Sequence, residues 1–140
     1  MVFFAISYFK VVLMQEYKLQ ADDFLVSQTD AKGRILFAND DFCKIAGYTL
    51  DELMGQPHNI VRHPDMPQAA FKSLWDTVTR NKVWDGYVKN ITKNGGYYWV
   101  YATVYPMYDE IRKENTYLSC RRKPSPLEIE EAQELYKTLR

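Results

Sequence analysis

The sequence contains little cysteine and no excess of charge of either sign. Its two cysteines, Cys43 and Cys120, are far apart and form no C-x-x-C pair, which argues against a disulfide scaffold and a zinc site. Lysine plus arginine (18) equals aspartate plus glutamate (18), so we expect no basic surface for nucleic acid. The sequence also lacks a nucleophile–base motif, a metal motif and a glycine-rich phosphate loop, and we expect no enzyme. Sparse, unpaired cysteines fit a reduced, cytoplasmic protein.

The length and the apolar content are those of one folded domain. The chain has 140 residues, and 46% of them are hydrophobic, which is enough to form a packed core. Aromatic residues make up 15% of the chain. Such a content suits a site for a planar ligand, although core packing is the more common role of aromatic side chains.

Residues 2–14 are nearly all apolar and are interrupted by Lys10. This run is too short to span a bilayer as a helix, and it lacks the features of a secretory signal. We expect residues 1–23 to form an apolar segment that lies on the domain or on a partner. Two alternatives remain open: translation begins at Met14, or the segment is a membrane anchor.

The first half of the chain predicts two strands followed by four short helices. Residues 24–29 and 34–38 are rich in strand formers, and a turn separates them. Helix signals then follow in quick succession along the sequence. They are an N-cap at Asn39 with a stop at Gly47, a capping box of Thr49 and Glu52, Pro57 as a first helical residue, and a box-like start of Asp65 and Gln68.

In the second half the apolar period changes from that of a helix to that of a strand. Residues 84–92 and 97–107 predict two strands that are joined by the Lys93–Asn94–Gly95–Gly96 turn, and residues 116–122 predict a third. Ser125 and Glu128 then form a capping box for an amphipathic helix over 124–140. This order predicts an α+β fold, a five-stranded antiparallel sheet with short helices over one face and a ligand cavity between them.

The motifs of the chain resemble those of PAS domains over residues 24–123. The generic motifs are Asn39–Asp40–Asp41–Phe42, Gly47–Tyr48–Thr49 and Asn94–Gly95 with Tyr98–Trp99. The stretch 55–67, GQPHNIVRHPDMP, together with Trp84 and Val88–Lys89–Asn90, is similar to the FAD-binding PAS domain of bacterial aerotaxis and energy-taxis receptors.

This resemblance implies FAD as the cofactor and redox state or oxygen-linked respiration as the signal. Receptors of this family continue into a membrane anchor and a methyl-accepting signalling region, whereas this sequence ends at Arg140. We therefore expect the output to pass to a separate methyl-accepting chemotaxis-type receptor. The positions that match the flavin-linked residues of the family are Asn39, His58, Arg62, Asp65, Trp84 and Asn90.

Several of these residues also have plain structural explanations. His58 and Arg62 are four residues apart, so one helix face would carry both, either towards FAD or towards solvent. Asp65 stands where a helix N-cap is expected, with or without a role at the flavin. Asn90 shares a strand face with Trp84 and would need a buried partner, which a flavin edge could supply. His63 is expected to be structural.

Two other functions compete with a flavin sensor. A haem-based gas sensor would use His58 or His63 as the iron ligand. A cofactor-free interaction module would need only the fold. Cys43 lies outside the helix that would carry a light-sensing cysteine, so we expect no flavin adduct.

The strand over residues 97–107 is apolar on both faces. One face would line the cavity, and the other would leave an aromatic surface on the back of the sheet. We expect the N-terminal segment, a second copy of the chain in a homodimer, or the receptor partner to cover that surface.

Overall fold

Five antiparallel strands form one sheet in the computed structural model, which describes residues 15–140. The strands are β1 (Leu25–Thr29), β2 (Ile35–Ala38), β3 (Trp84–Ile91), β4 (Tyr97–Asp109) and β5 (Glu114–Arg122), and their spatial order is β2-β1-β5-β4-β3. The first and last strands in sequence are therefore neighbours at the centre of the sheet. The predicted antiparallel α+β fold is confirmed.

Short helices lie between β2 and β3. They are α1 (Asp40–Ala46), α2 (Leu50–Leu53), a 3₁₀ helix (His58–Val61) and α3 (Gln68–Val78). Asn39 caps α1, and Gly47 ends it in the left-handed conformation, with φ 85°. The capping box of Thr49 and Glu52 is present at α2. These helices pack their buried side chains on one face of the sheet, where Leu25, Phe42 and Val100 belong to the main core.

The start of α3 differs from the prediction. The helix begins at Gln68 after Pro67, which makes no side-chain capping bond, so Asp65 is not its N-cap. The physical reason is that the residue before a proline is driven out of the helical region, which keeps Met66 from starting the helix. Asp65 instead accepts a hydrogen bond from Lys89 Nζ at 3.0 Å.

The C-terminal helix partly covers the back of the sheet, a position that the sequence analysis did not predict. The C-terminal helix α4 (Pro126–Leu139) has the expected capping box, and Tyr136 on it stacks on Trp99 of β4 with ring centroids 6.3 Å apart. Tyr136 also donates its hydroxyl hydrogen to Tyr87 O on β3. Side chains alternate between the two faces along β4, so Trp99 lies on the face of the sheet that is turned away from the cavity. The apolar side of the amphipathic helix can therefore pack on that face. Tyr105 and Met107 on the same face stay 40% and 46% exposed.

The predicted covering role of residues 1–14 lies outside the described residues. Just after them, Tyr17 donates its backbone N–H to Tyr97 O, and Tyr97 donates its own to Gln15 O. Leu19 is 3% exposed and belongs to the main core, so packing of the domain already begins before residue 24. Over the described part of the chain, no helix has both the length and the apolar content needed to cross a membrane.

Candidate functional site

A cavity of about 210 Å³ lies between the helices and the sheet, and its lining includes the exposed residues Lys32 and Asn59. The 3₁₀ helix and α3 form one wall, and the inward faces of β1, β3, β4 and β5 form the other. Four of the six predicted site residues line it: His58, Arg62, Trp84 and Asn90. The sequence therefore located the cavity correctly, although its contacts with a cofactor remain predictions.

The sheet side of the cavity is made shallow by small residues. Gly86 pairs with Ala102, which pairs with Arg121 on the next strand, and Trp84 pairs with Val104, which pairs with Ser119. The indole of Trp84 lies over Gly86: a Cβ atom added at Gly86 would be 2.6 Å from the ring. Its Nε1 donates to Ser73 Oγ at 3.2 Å. A flat floor flanked by an indole suits a planar, aromatic ligand.

Replacement of Gly86 by alanine is expected to push the Trp84 ring out of this position. Overpacking of this kind costs about 1–3 kcal/mol of unfolding free energy, which thermal or urea denaturation measures. The control is the same substitution in a Trp84→Ala background. There the added methyl group meets no ring, and the change should be neutral or slightly stabilising, since glycine is a poor strand residue. Equal costs in the two backgrounds would contradict the placement of the ring.

His58 and Arg121, which line the cavity, form a hydrogen-bonded trio with the buried Ser27. Arg121 donates from one terminal nitrogen to Ser27 Oγ at 2.9 Å and from the other to His58 Nε2 at 3.0 Å. Because a guanidinium can only donate, Nε2 must accept, which assigns the hydrogen of the neutral imidazole to Nδ1. Burial of the imidazole, the charge of Arg121 and that of Arg62 lower the pKa of His58 to about 3.

Three buried polar groups in the lining have no hydrogen-bond partner within the part of the chain that the structure describes. They are Arg62 Nε, Asn90 Nδ2 and Ser119 Oγ. Arg62 stacks its guanidinium on the ring of Phe71, with 3.6 Å between its carbon and the ring centroid. Buried donors of this kind cost free energy when they stay unpaired, so the arrangement points to a ligand that presents acceptors.

The comparisons with known proteins agree with this architecture. A family model described as the PAS fold matches residues 35–119. The chain belongs to the PAS family. Its identity with the aerotaxis receptor of Escherichia coli strain K12 is 48% over 128 residues, which are 91% of this chain and 25% of the receptor. This PAS domain thus spans about a quarter of that relative, and the resemblance to aerotaxis receptors that the motifs indicated is confirmed.

Two further similarities are more distant. The nitrogen fixation regulatory protein of Klebsiella oxytoca is 29% identical over 97 residues, which are 69% of this chain and 20% of that protein. A solved structure of a Light-Oxygen-Voltage domain, from work with a flavin analogue, has a TM-score of 0.66 and 20% identity. It covers 81% of this chain and 84% of that one, and at this identity it supports the PAS fold alone.

The other two predicted site residues of the PAS domain lie outside the cavity. Asn39 Oδ1 accepts from the backbone N–H groups of Val26 and Phe42, and its amide nitrogen donates to Phe24 O. Asp65, 49% exposed at its side chain, pairs with Lys89 on the opposite side of the sheet from the cavity. The structure therefore does not bring these two side chains to the other four.

The histidines that a haem sensor would need, and the cysteine that a flavin adduct would need, have other positions or partners in this fold. His63 Nδ1 accepts the backbone N–H of Asp65, and its ring packs on Tyr97, away from the cavity. His58 Nε2 is engaged by Arg121 and Ser27, which leaves that nitrogen no free lone pair for iron. Cys43 lies on α1 and does not line the cavity, and burial raises the pKa of its thiol.

The lining residues that the sequence analysis missed include two on β5, Ser119 and Arg121. Both point inward from β5 because they alternate with Leu118, Cys120 and Arg122. Arg121 and Arg122 are adjacent on β5 and therefore lie on opposite faces of the sheet. The alternation of side chains along the strand does not by itself show which of the two arginines is buried. Pairing of Arg121 with Leu25, a fully buried residue of β1, decides it.

Proposed function

We propose that this PAS domain binds a flavin, FAD in particular, and reports its redox state. The observation that carries the proposal is the set of unpaired buried groups at Arg62, Asn90 and Ser119, which face one cavity. The pyrimidine edge of a flavin carries two carbonyl oxygens that accept hydrogen bonds and a ring N–H between them that donates one. A ligand with this edge would satisfy donors that the protein leaves unpaired.

The residues of the cavity divide between binding the ring and binding its edge. Trp84 flanks the flat floor and would contact a ring face, while Asn90 and Arg62 would donate to the polar edge. His58 would hold Arg121 and keep its own nitrogen unprotonated. When bound, a flavin supplies electron acceptance and donation, and the protein supplies orientation and electrostatics. The contacts predicted for Asn39 and Asp65 gain no support from their positions.

The signal would pass to another protein. The relative from E. coli is named an aerotaxis receptor, and this chain spans 25% of its length. We propose a separate methyl-accepting chemotaxis-type receptor as the partner, and a cytoplasmic location for this domain, with membrane association through that receptor. The apolar surface around Tyr105 and Met107 on the back of the sheet is available for that contact or for a homodimer. We propose no catalytic role.

The purified, undialysed protein is expected to show the two-band absorption of an oxidised flavin, which bleaches on reduction, and to release FAD on heating. Trp84→Ala and Arg62→Ala should each lower flavin occupancy. Loss of a charged hydrogen bond at Arg62 weakens binding by about 10- to 100-fold. Occupancy is measured as the ratio of flavin to protein absorbance after gel filtration.

Tyr105→Ala is the matched control, because Tyr105 lies on the opposite face of the same sheet. It should retain the occupancy of the unmodified chain. A colourless protein that also fails to take up added FAD would refute the proposed function. Full occupancy in both Trp84→Ala and Arg62→Ala would leave the cofactor in place and refute the assignment of these residues.

A further inference from the structure

Arg121 is a buried cation that no acidic side chain neutralises in the part of the protein that the structure describes. It is 6% exposed, and its hydrogen bonds go to two neutral groups, Ser27 Oγ and His58 Nε2. Within residues 15–140 it forms no ion pair with a carboxylate. Burial lowers the pKa of Arg121 to about 10, so the guanidinium still carries its charge at neutral pH. Burying a charge in this way costs free energy unless a counter-charge is supplied.

The rest of the cavity adds positive charge rather than compensating it. The described lining contains Lys32, Arg62 and Arg121 but no aspartate or glutamate. His58 stays neutral, because its pKa is about 3. Arg121 also lies 5.4 Å from the ring of Phe42, which offers only a weak cation–π contact. An electron-rich or anionic occupant of the cavity would supply the missing counter-charge.

We propose that Arg121 contacts the bound cofactor and sets its reduction potential, by facing the part of the flavin ring that becomes more negative on reduction. This inference rests on the proposed function. In vitro, a reductant such as dithionite donates the electrons and is oxidised to sulfite, while no covalent bond to the protein forms or breaks. A fixed positive charge stabilises the reduced, electron-rich ring more than the oxidised ring, which raises the potential.

The same charge is expected to make the cofactor-free protein less stable than it could be. In Arg121→Met the side chain keeps its approximate length and loses its charge. Ser27 can then donate to His58 Nε2, which lies 3.0 Å away, so neither group is left without a partner. The cofactor-free Arg121→Met protein should melt at the same temperature as the unmodified chain or higher, although its site is impaired. A residue kept only for stability would give the opposite result.

The test compares Arg121→Met, Arg121→Lys and Arg122→Gln in three measurements. These are the melting temperature of the cofactor-free protein, the Kd for FAD from fluorescence titration, and the midpoint potential of the bound flavin. Arg122 is the matched control, since it is the next residue on β5 and its guanidinium lies 4.6 Å from the ring of Tyr101 on the other face of the sheet. It should leave the Kd and the potential unchanged.

For Arg121→Met we expect FAD binding to weaken by about 10- to 100-fold, with a larger loss for the reduced form. A loss tenfold larger for reduced than for oxidised flavin lowers a two-electron potential by about 30 mV. Arg121→Lys keeps the charge and should recover most of the potential. If Arg121→Met melts far lower without cofactor, or if its bound flavin keeps the unmodified potential, the inference is overturned while the proposed function stands. If the unmodified chain takes up no FAD, both are overturned.

Discussion

Replacing Tyr136 by alanine is expected to lower the free energy of unfolding by about 3–5 kcal/mol, the usual cost of removing a buried large aromatic side chain. Tyr136 is 8% exposed, stacks on Trp99 and donates its hydroxyl hydrogen to the backbone oxygen of Tyr87. Its removal would uncover the indole of Trp99 and leave that oxygen without its side-chain donor. Urea denaturation followed by far-UV circular dichroism measures the change.

Leu135→Ala is the matched control for this prediction. Leu135 is the preceding residue on the same helix and is 56% exposed, so its loss should change stability by no more than about 0.5 kcal/mol. Similar losses at the two positions would show that α4 does not lie on the sheet as described. The result also bears on function, because Tyr87 belongs to β3, the strand that carries Trp84 and Asn90 into the cavity.

Acidification is expected to destabilise the domain through His58. The pKa of this imidazole falls from the ordinary 6.5 to about 3 in the folded protein. Between these values the unfolded chain binds more protons than the folded one, so the free energy of unfolding falls as the pH is lowered. The contribution of His58 is fully present above pH 6.5, and about 2 kcal/mol of it is lost by pH 5.

The measurement is a series of urea titrations between about pH 8 and pH 5 on the unmodified chain, His58→Asn and His63→Asn. Asparagine retains an acceptor for Arg121 but cannot take up a proton, so His58→Asn should lose most of the pH dependence. His63→Asn should keep most of the pH dependence. Burial and the charge of Lys89 also lower the pKa of His63, but this side chain is less enclosed than His58 and its share of the pH dependence is smaller. A slope in His58→Asn as steep as in the unmodified chain would refute this assignment.

Local signals predicted the elements well. The Ser125–Glu128 and Thr49–Glu52 capping boxes both form, and Lys93–Gly96 joins β3 to β4 as a hairpin. These features depend on neighbours within four residues, so the sequence carries their cause directly. The box-like pair at Asp65 failed because Pro67 lies between its two members and disfavours a helical conformation at Met66, a nearby restriction that the sequence also contained.

The candidate site was predicted less completely. His58, Arg62, Trp84 and Asn90 were found through their resemblance to a family, and the fold brings them to one cavity. The same resemblance suggested Asn39, but its side-chain amide forms hydrogen bonds with backbone groups of Phe24, Val26 and Phe42. Such a resemblance does not separate residues that would touch a ligand from residues that hold the chain around it.

What the sequence by itself determined is the order of the elements, the class of the fold and the position of the cavity between helices and sheet. Only the tertiary structure decided which of two adjacent arginines is buried. Arg121 and Arg122 are chemically equal, and strand alternation sends one to each face, but the pairing of β5 with β1 and β4 selects Arg121 for the interior. It also brings Ser27 and His58, 94 and 63 residues away in sequence, to the same guanidinium. No local pattern encodes that meeting, because register between distant strands is set by the packing of the whole core.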